Sequence, residues 1–174
     1  AGLNMTIIRP SIIAGVWKEP ITGWTDNFNG PSGLFIATGK GLLKSMLGCG
    51  ENVADIVPVD LTANLILSAT WHTALTKPNQ PEVYHMTSGA TNPFTWGEIA
   101  NVIVRYFHRI PLDKVFRRPK VVITPNSWLH EYYLIASHLV PAYMYDFAIS
   151  AVGGKPRMVK IYSRLHKMMK ILQY

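Results

Sequence analysis

Apolar and polar positions alternate in short blocks over the first 110 residues, and each block predicts an element. Leu3–Ile8 is a continuous apolar run of the length a buried strand needs. Leu34–Leu47 carries enough apolar residues for a helix, which Gly39 and Gly41 weaken. Ile56–Val59 predicts a second short strand. Asp60 is then placed to cap a helix from Leu61 to about Leu75, apolar nearly all round and so expected to be buried. Glu82–Thr87 alternates as a third strand. Thr95-Trp96-Gly97-Glu98 has the spacing of a capping box, and Ile99, Val102, Ile103, Tyr106 and Phe107 follow at helical intervals. This alternation predicts an α/β fold with a parallel sheet. The opening strand has almost nothing before it to pair, which reads as a chain starting in the middle of a fold.

The pattern changes at Asp113. Phe116-Arg117-Arg118-Pro119 reads as a basic linker, and the expected boundary separates residues 1–112 from a mainly helical 113–174. Between Tyr132 and Gly154 only His138 and Asp146 can carry charge near neutral pH, a length that raises a membrane span. Pro141 and Asp146 argue against one, since each is costly in an isolated spanning helix. Two shorter helices hinged at Pro141, resting on a membrane surface, are expected instead. Gly153-Gly154 should end the second of them. Met158 to Tyr174 then predicts a basic amphipathic helix. Met158, Ile161, Tyr162, Leu165, Met168, Met169 and Leu172 lie on one face, with Lys160, Arg164 and Lys167 opposite.

Charge sharpens the division. The net charge is +7, and residues 1–112 hold seven Lys and Arg against seven Asp and Glu, so the whole excess lies beyond them. The C-terminal helix therefore either docks on its own domain or lies on an anionic membrane. No nucleic-acid-binding fold accompanies the charge, so nucleic acid is not an expected partner. The single Cys49 excludes an internal disulfide framework. Six histidines show no zinc-ligand spacing, and Ser137-His138 with Asp146 lacks a nucleophile elbow, so buried polar residues between helices are the better account. Asp55 and Asp60 have the look of paired carboxylates, with a helix cap the preferred role for Asp60.

The most informative stretch is residues 1–41. After the first strand come Arg9-Pro10-Ser11, then Trp17-Lys18-Glu19-Pro20, Gly23-Trp24-Thr25-Asp26-Asn27-Phe28-Asn29-Gly30-Pro31, and Gly39-Lys40-Gly41. A strand feeding a long Gly-, Pro- and Asn-rich loop studded with aromatics is the build of a ligand-facing loop at the carboxyl edge of an α/β sheet.

These residues, with Ala54-Asp55-Ile56-Val57-Pro58-Val59-Asp60, Thr91-Asn92-Pro93-Phe94-Thr95-Trp96-Gly97-Glu98, Phe116-Arg117-Arg118-Pro119 and Lys155-Pro156-Arg157-Met158, resemble the central part of an animal-type alcohol-forming fatty acyl-CoA reductase. That family is a membrane-associated branch of the extended short-chain dehydrogenase/reductases. The resemblance implies the later part of a Rossmann-like domain followed by the start of a mainly α-helical C-terminal domain. It implies reduction of a long-chain fatty acyl-CoA to a primary alcohol with two NADPH, in ether-lipid or wax metabolism, at the cytosolic face of the peroxisomal membrane. The family's Gly-rich dinucleotide loop and Tyr-x-x-x-Lys pair are not found here, so no catalytic residue is assigned. Two departures stand out: Ala14 holds the usual glycine position, with Gly15 one step later, and Thr22 replaces a common proline.

The resemblance also implies site residues. Arg9, Pro10, Ser11, Ile12 and Ile13 would offer backbone groups to the nicotinamide carboxamide; a Pro that merely ends a strand is the plainer reading. Trp24, Asn27, Phe28, Asn29 and Gly30 would wrap the acyl thioester or its pantetheine arm, or else form a surface loop packed by its own aromatics. Lys40 would meet a phosphate, or be simply solvated. The partners expected are acyl-CoA, a membrane surface, and either a missing N-terminal half or a second copy. The opposing expectation is a truncated, non-catalytic chain that binds only lipid, membrane or a partner.

Overall fold

The computed structural model describes residues 4–171. In chain order the elements are strands β1 (Thr6–Pro10) and β2 (Ile12–Ala14), helix α1 (Pro31–Gly39), strands β3 (Ser45–Leu47) and β4 (Ile56–Pro58), helix α2 (Val59–Thr76), strand β5 (Glu82–Met86) and helix α3 (Trp96–Arg109). Strand β6 (Val122–Thr124), helix α4 (Ser127–Tyr133), a π-helical turn (Leu134–Leu139), helix α5 (Val140–Ala151) and helix α6 (Met158–Ile171) follow. Each strand pairing is parallel: β1 with β5, β2 with β4, and β3 with β6. Parallel pairing under crossover helices is the α/β class the alternation predicts.

The chain forms two compact units, each from two stretches: residues 1–27 with 53–94, and residues 28–52 with 95–174. The change in charge at residue 113 falls inside the second unit.

In the first unit β1 begins at Thr6 and runs through Pro10, not from Leu3 to Ile8, and Leu3 lies outside the described residues. The strand is half-exposed because β5 is its one partner among the described residues, so Met5 and Ile7 keep open faces. Pro10 fits at the strand's end, where the next amide, Ser11 N–H, makes the bond to Met86 C=O at 2.9 Å. Helix α2 lies against β1, β2 and β4. It buries only Thr62, Ala69 and Thr73. Leu67, Trp71 and Leu75 are 68%, 68% and 63% exposed, against the expectation of a buried helix. An all-round apolar helix predicts burial only if something covers each face. Lys77 ends α2 in the left-handed conformation, with Pro78 just beyond.

The second unit corrects the predicted helix over residues 34–47. Helix α1 occupies Pro31–Gly39, with Pro31 in its first turn, and Gly41 at φ +70° turns the chain into β3. Gly39 admits the ring of Phe107 from α3, where a β-carbon would fall 2.6 Å from the ring. The predicted box at the start of α3 is present: Glu98 N–H donates to the Thr95 hydroxyl, and Thr95 N–H donates to the Glu98 carboxylate at 2.9 Å. Of the predicted stripe on α3, Ile99, Ile103 and Phe107 turn inward, while Val102 and Tyr106 are exposed.

Phe116–Pro119 is not a linker but a pinned segment. Phe116 and Arg117 donate their backbone N–H groups to Lys40 C=O, and the Arg117 guanidinium donates to Ser137 C=O at 2.6 Å and Tyr162 Oη at 3.3 Å. Pro141 explains why Ser137 C=O is open to it, since proline has no N–H to return to the carbonyl four residues earlier. The expected hinge is therefore a π-helical turn within a continuous helical run from Ser127 to Ala151. The wider turn keeps His130, His138, Ala142 and Asp146 on one buried face. None of the helices among the described residues is long and apolar enough to cross a membrane.

Gly153 at φ +78° and Gly154 close α5 as predicted. Gly153 N–H donates to Ser150 C=O, and Gly154 N–H donates to Ile149 C=O. Asp146 then starts α6: its carboxylate accepts from the backbone N–H groups of Arg157, Met158 and Val159 at 2.9–3.0 Å. The core is Leu34, Ala37, Leu43, Ala142, Tyr162 and Leu165. Tyr162 and Leu165 thus bear out the apolar face of α6, while the side chains of Met168, Met169 and Leu172 lie outside the described residues.

Candidate functional site

The first unit changes partners at Ser11. Residues Thr6–Pro10 run beside β5, whereas Ile12–Ala14 run beside β4, so the stretch exchanges one partner strand for another where the proposed cofactor segment lies. Asp55, just before β4, ties the junction. Its Oδ1 accepts from Ser88 N–H at 2.7 Å, Ser88 Oγ at 3.1 Å and Ser11 Oγ at 3.0 Å. The Ser88 N–H is the chief cause holding the Asp55 carboxyl below its usual range; burial opposes it, and the two hydroxyls and Gly89 N–H add to it. Gly89 is close-packed here, with a β-carbon position only 3.2 Å from Asp55 Oδ2. Asp55 is thus an ionised tie between three segments, its Oδ1 taken up by structural hydrogen bonds.

Asp60 is not the helix cap expected of it. Pro58 is the N-cap of α2, and Asp60 sits in the first turn with its carboxylate aimed at the preceding loop. It accepts from Trp17 N–H and Lys18 N–H at 3.0 Å each and from Glu19 N–H at 3.5 Å. The Trp17 and Lys18 amides pull its pKa down to about 2 from 3.8. The loop closes on itself through Gly23 N–H to Val16 C=O and Val16 N–H to Trp24 C=O, and Lys18 Nζ lies 4.1 Å over the Trp17 ring. A β-carbon at Gly15 would lie 3.1 Å from Trp24 C=O, so glycine one step past the family position serves close approach of this loop.

Replacing Asp60 with Ala should free the loop while α2 stays folded. Exchange of the Trp17 and Lys18 amides is expected to quicken roughly tenfold or more, as loss of charge-assisted bonds implies. Because the folded pKa is lowered, the anchor is intact above about pH 4 and is lost as pH falls through about 2. Unchanged exchange rates at neutral pH would show that the loop is held by its own turns.

The predicted site residues divide between the units. Arg9, Pro10, Ser11, Ile12 and Ile13 lie together along β1 and β2 of the first unit, with Trp24 and Asn27 in its loop. Phe28, Asn29, Gly30 and Lys40 belong to the second. Trp24 is half-exposed, and Thr25 Oγ both donates to Asn27 C=O and accepts from Asn27 N–H. Gly30, at φ +65°, is the N-cap of α1. Phe28 and Lys40 do come together: both line a cavity of about 230 Å³ between α1 and α6, along with Ile36, Ile161, Arg164 and Leu165.

A second cavity, of about 370 Å³, is lined by Leu43, Leu134, Leu139, Val159 and Leu165 with Tyr143, Ser163, His166, His138 and Tyr162. His138 is 2% exposed, stacks on Tyr162 at 5.2 Å, and accepts Lys44 N–H on Nε2 at 2.9 Å. That bond requires an unprotonated Nε2. Burial, then the Arg117 charge, with smaller effects from His130, Lys44 and His166, drives its pKa from 6.5 to about 4. His130 pairs with Ser45 Oγ at 3.0 Å, and burial lowers its pKa as well. No group of three His, Cys, Asp or Glu among the described residues is placed to hold a metal ion.

Sequence reasoning missed Ser88, Arg117 and Arg164. Ser88-Gly89 directly after a strand was the available signal for the first. The other two look like ordinary members of a basic stretch until the fold brings them to the core and a cavity.

Residues 1–66 match the model of an NAD-binding family described as male sterility protein. The whole chain is 48% identical to fatty acyl-CoA reductase 1 of Mus musculus and 49% identical to that of Gallus gallus, covering 34% of each. Fatty acyl-CoA reductase 2 of Homo sapiens is 44% identical over 172 residues, 33% of its length. The chain spans about a third of the length of these relatives. Over its entire length, then, this α/β chain is similar to one third of a fatty acyl-CoA reductase.

Proposed function

We propose that this chain forms the nicotinamide-side and substrate-side segment of an NADPH-dependent reductase that converts long-chain fatty acyl-CoA to a primary alcohol. The observation that supports the reading is identity near one half, over the length of this chain, to proteins named fatty acyl-CoA reductase, of which it spans about a third. The exchange of partner at Ser11, from β5 to β4 at the carboxyl end of β1, supports this reading, because dinucleotides bind at the carboxyl ends of parallel strands.

The nicotinamide, when bound, supplies hydride to the thioester carbonyl and again to the aldehyde. Arg9, Pro10, Ser11, Ile12 and Ile13 would offer its carboxamide backbone groups other than the Ser11 and Ile12 N–H, which are bonded to Met86 and Asp55 C=O, on a frame that Asp55 fixes through Ser11 and Ser88. The loop over residues 16–27 excludes water from the carbonyl, and Asp60 holds that loop closed. The first reduction would release free coenzyme A and the second would leave the alcohol, each consuming one NADPH and one proton. Proton donation falls to residues of the full-length polypeptide outside these 174. Association with the cytosolic face of the peroxisomal membrane, and a role in ether-lipid or wax synthesis, go with this reading.

The test is turnover by the full-length natural polypeptide. Palmitoyl-CoA should drive oxidation of NADPH in preference to NADH, with hexadecanol formed at one per two NADPH. Release of hexadecanal without alcohol would overturn the alcohol-forming claim. No palmitoyl-CoA-dependent oxidation at all would leave a lipid- or partner-binding chain.

A further inference from the structure

The second unit is strongly basic. Its two stretches contain fourteen Lys and Arg against five Asp and Glu, whereas the first unit is slightly acidic. Two of those five acids are already committed, Glu98 to the N-terminus of α3 and Asp146 to that of α6. Lys40 and Arg164 face one cavity, and among the described residues neither is paired with a carboxylate.

Neither cation is loosely placed. The Lys40 backbone is fixed on three sides: its N–H donates to Ile36 C=O at 2.8 Å, and its C=O accepts from Phe116 and Arg117. Arg164 lies on α6, whose first turn is held by the Asp146 carboxylate and whose Tyr162 and Leu165 are buried in the core. The floor between them is apolar, with Ile36, Ala37, Leu42, Ile161 and Leu165. Leu165 is also a wall of the larger apolar cavity, so the two spaces adjoin across one side chain. Two cationic side chains lining an apolar trough match a ligand that carries both an anionic group and an apolar chain, and neither a bare phosphate nor a neutral lipid satisfies both parts.

We propose that the cleft between α1 and α6 binds the acyl-CoA itself. Lys40 and Arg164 hold a phosphate of its coenzyme A portion, and the hydrocarbon chain runs past Leu165 into the cavity beside Ser163. This rests on the reductase reading for the identity of the ligand, but its geometry belongs to the second unit alone. It turns Arg164 from a solvated helix residue into a substrate-binding one, and gives Lys40 the phosphate role.

The test measures binding of palmitoyl-CoA, coenzyme A and hexadecanol to the full-length polypeptide without NADPH. Arg164→Glu and Lys40→Gln should each weaken palmitoyl-CoA and coenzyme A about tenfold and leave hexadecanol unchanged. Ser163→Trp, at an exposed cavity-lining position, should weaken palmitoyl-CoA and hexadecanol but not coenzyme A. Palmitoyl-CoA binding within twofold of wild type in both charge variants would overturn the proposal. So would a loss confined to phosphatidylserine vesicles, since the cations would then serve a membrane surface. The reductase reading fails separately. Palmitoyl-CoA binding with these sensitivities but no NADPH oxidation leaves the cleft standing and removes the enzyme, whereas turnover indifferent to Arg164→Glu does the reverse.

Discussion

Gly41→Ala should cost the second unit about 3 kcal/mol or more, a large share of the roughly 5–15 kcal/mol that holds a domain together. Gly41 has φ +70°, and an ideal β-carbon there would lie 1.9 Å from Arg117 C=O and 2.5 Å from its carbonyl carbon. The overlap is with backbone, so no rotamer change relieves it. Nor is the Arg117 segment free to retreat, because Phe116 and Arg117 both donate to Lys40 C=O and the guanidinium is bonded to Ser137 and Tyr162. Relief must come from breaking the segment away, which leaves those groups unpaired. Gly153→Ala is the control. It has a similar φ of +78° but nothing within 4 Å of its β-carbon, so it should show only the conformational term, about 1 kcal/mol. Thermal unfolding of the two variants reads the difference directly. Equal shifts in Tm would mean that φ alone matters and that the close approach to Arg117 is soft.

Acid should destabilise the second unit well above the pH at which carboxylates titrate. His138 is buried, accepts a backbone N–H on Nε2, and has Arg117, Lys44, His130 and His166 as its charged or titratable neighbours, all cations when protonated. Its folded pKa of about 4 lies below the 6.5 of an exposed histidine. The unfolded chain therefore takes up a proton that the folded one refuses. Stability from this group is complete above about pH 6.5, declines as pH falls, and is gone below about 4. The pKa difference corresponds to about 3 kcal/mol. Urea unfolding at pH 7, 5.5 and 4.5 should show this decline in the wild type. In His138→Gln, which keeps an acceptor but cannot titrate, the same series should be flatter by nearly that amount. Parallel profiles for the two proteins would rule His138 out as the source.

Local features of this chain were legible and distant ones were not. The Thr95–Glu98 box and the Gly153-Gly154 stop depend on residues within a few positions of each other, and both appear as read. The parallel class was legible because alternation of strand and helix leaves little other choice. Asp60 shows the limit. At the head of a helix it has the right type and place for a cap, but donors more than forty residues earlier outcompete that role. Asp146 is the converse, an acid that argued only against a membrane span yet caps a helix eleven to thirteen residues on. Residues 45–47 were absorbed into an apolar run that reads as helix, because a three-residue strand has no period of its own to announce it. The apolar face of α2 was legible as apolar, but periodicity carries no information about what covers it. At the candidate site, type and loop composition gathered Phe28 with Lys40. Arg164, more than a hundred residues away, needed the fold.

The two units take turns along the polypeptide, with crossings near residues 27, 52 and 94. A ribosome releasing this chain cannot finish one unit before starting the other. The first needs β5 to pair with β1, so it waits for residue 86 while Leu34, Leu43 and the rest of α1 and β3 are already out and unpaired. The second waits longer still, until Tyr162 and Leu165 emerge to close its core. Emerging chains of this kind keep apolar surface in water through most of synthesis. Trimming at a loop should likewise release no self-sufficient half, since a cut anywhere between 27 and 94 leaves both units holding pieces on either side of it.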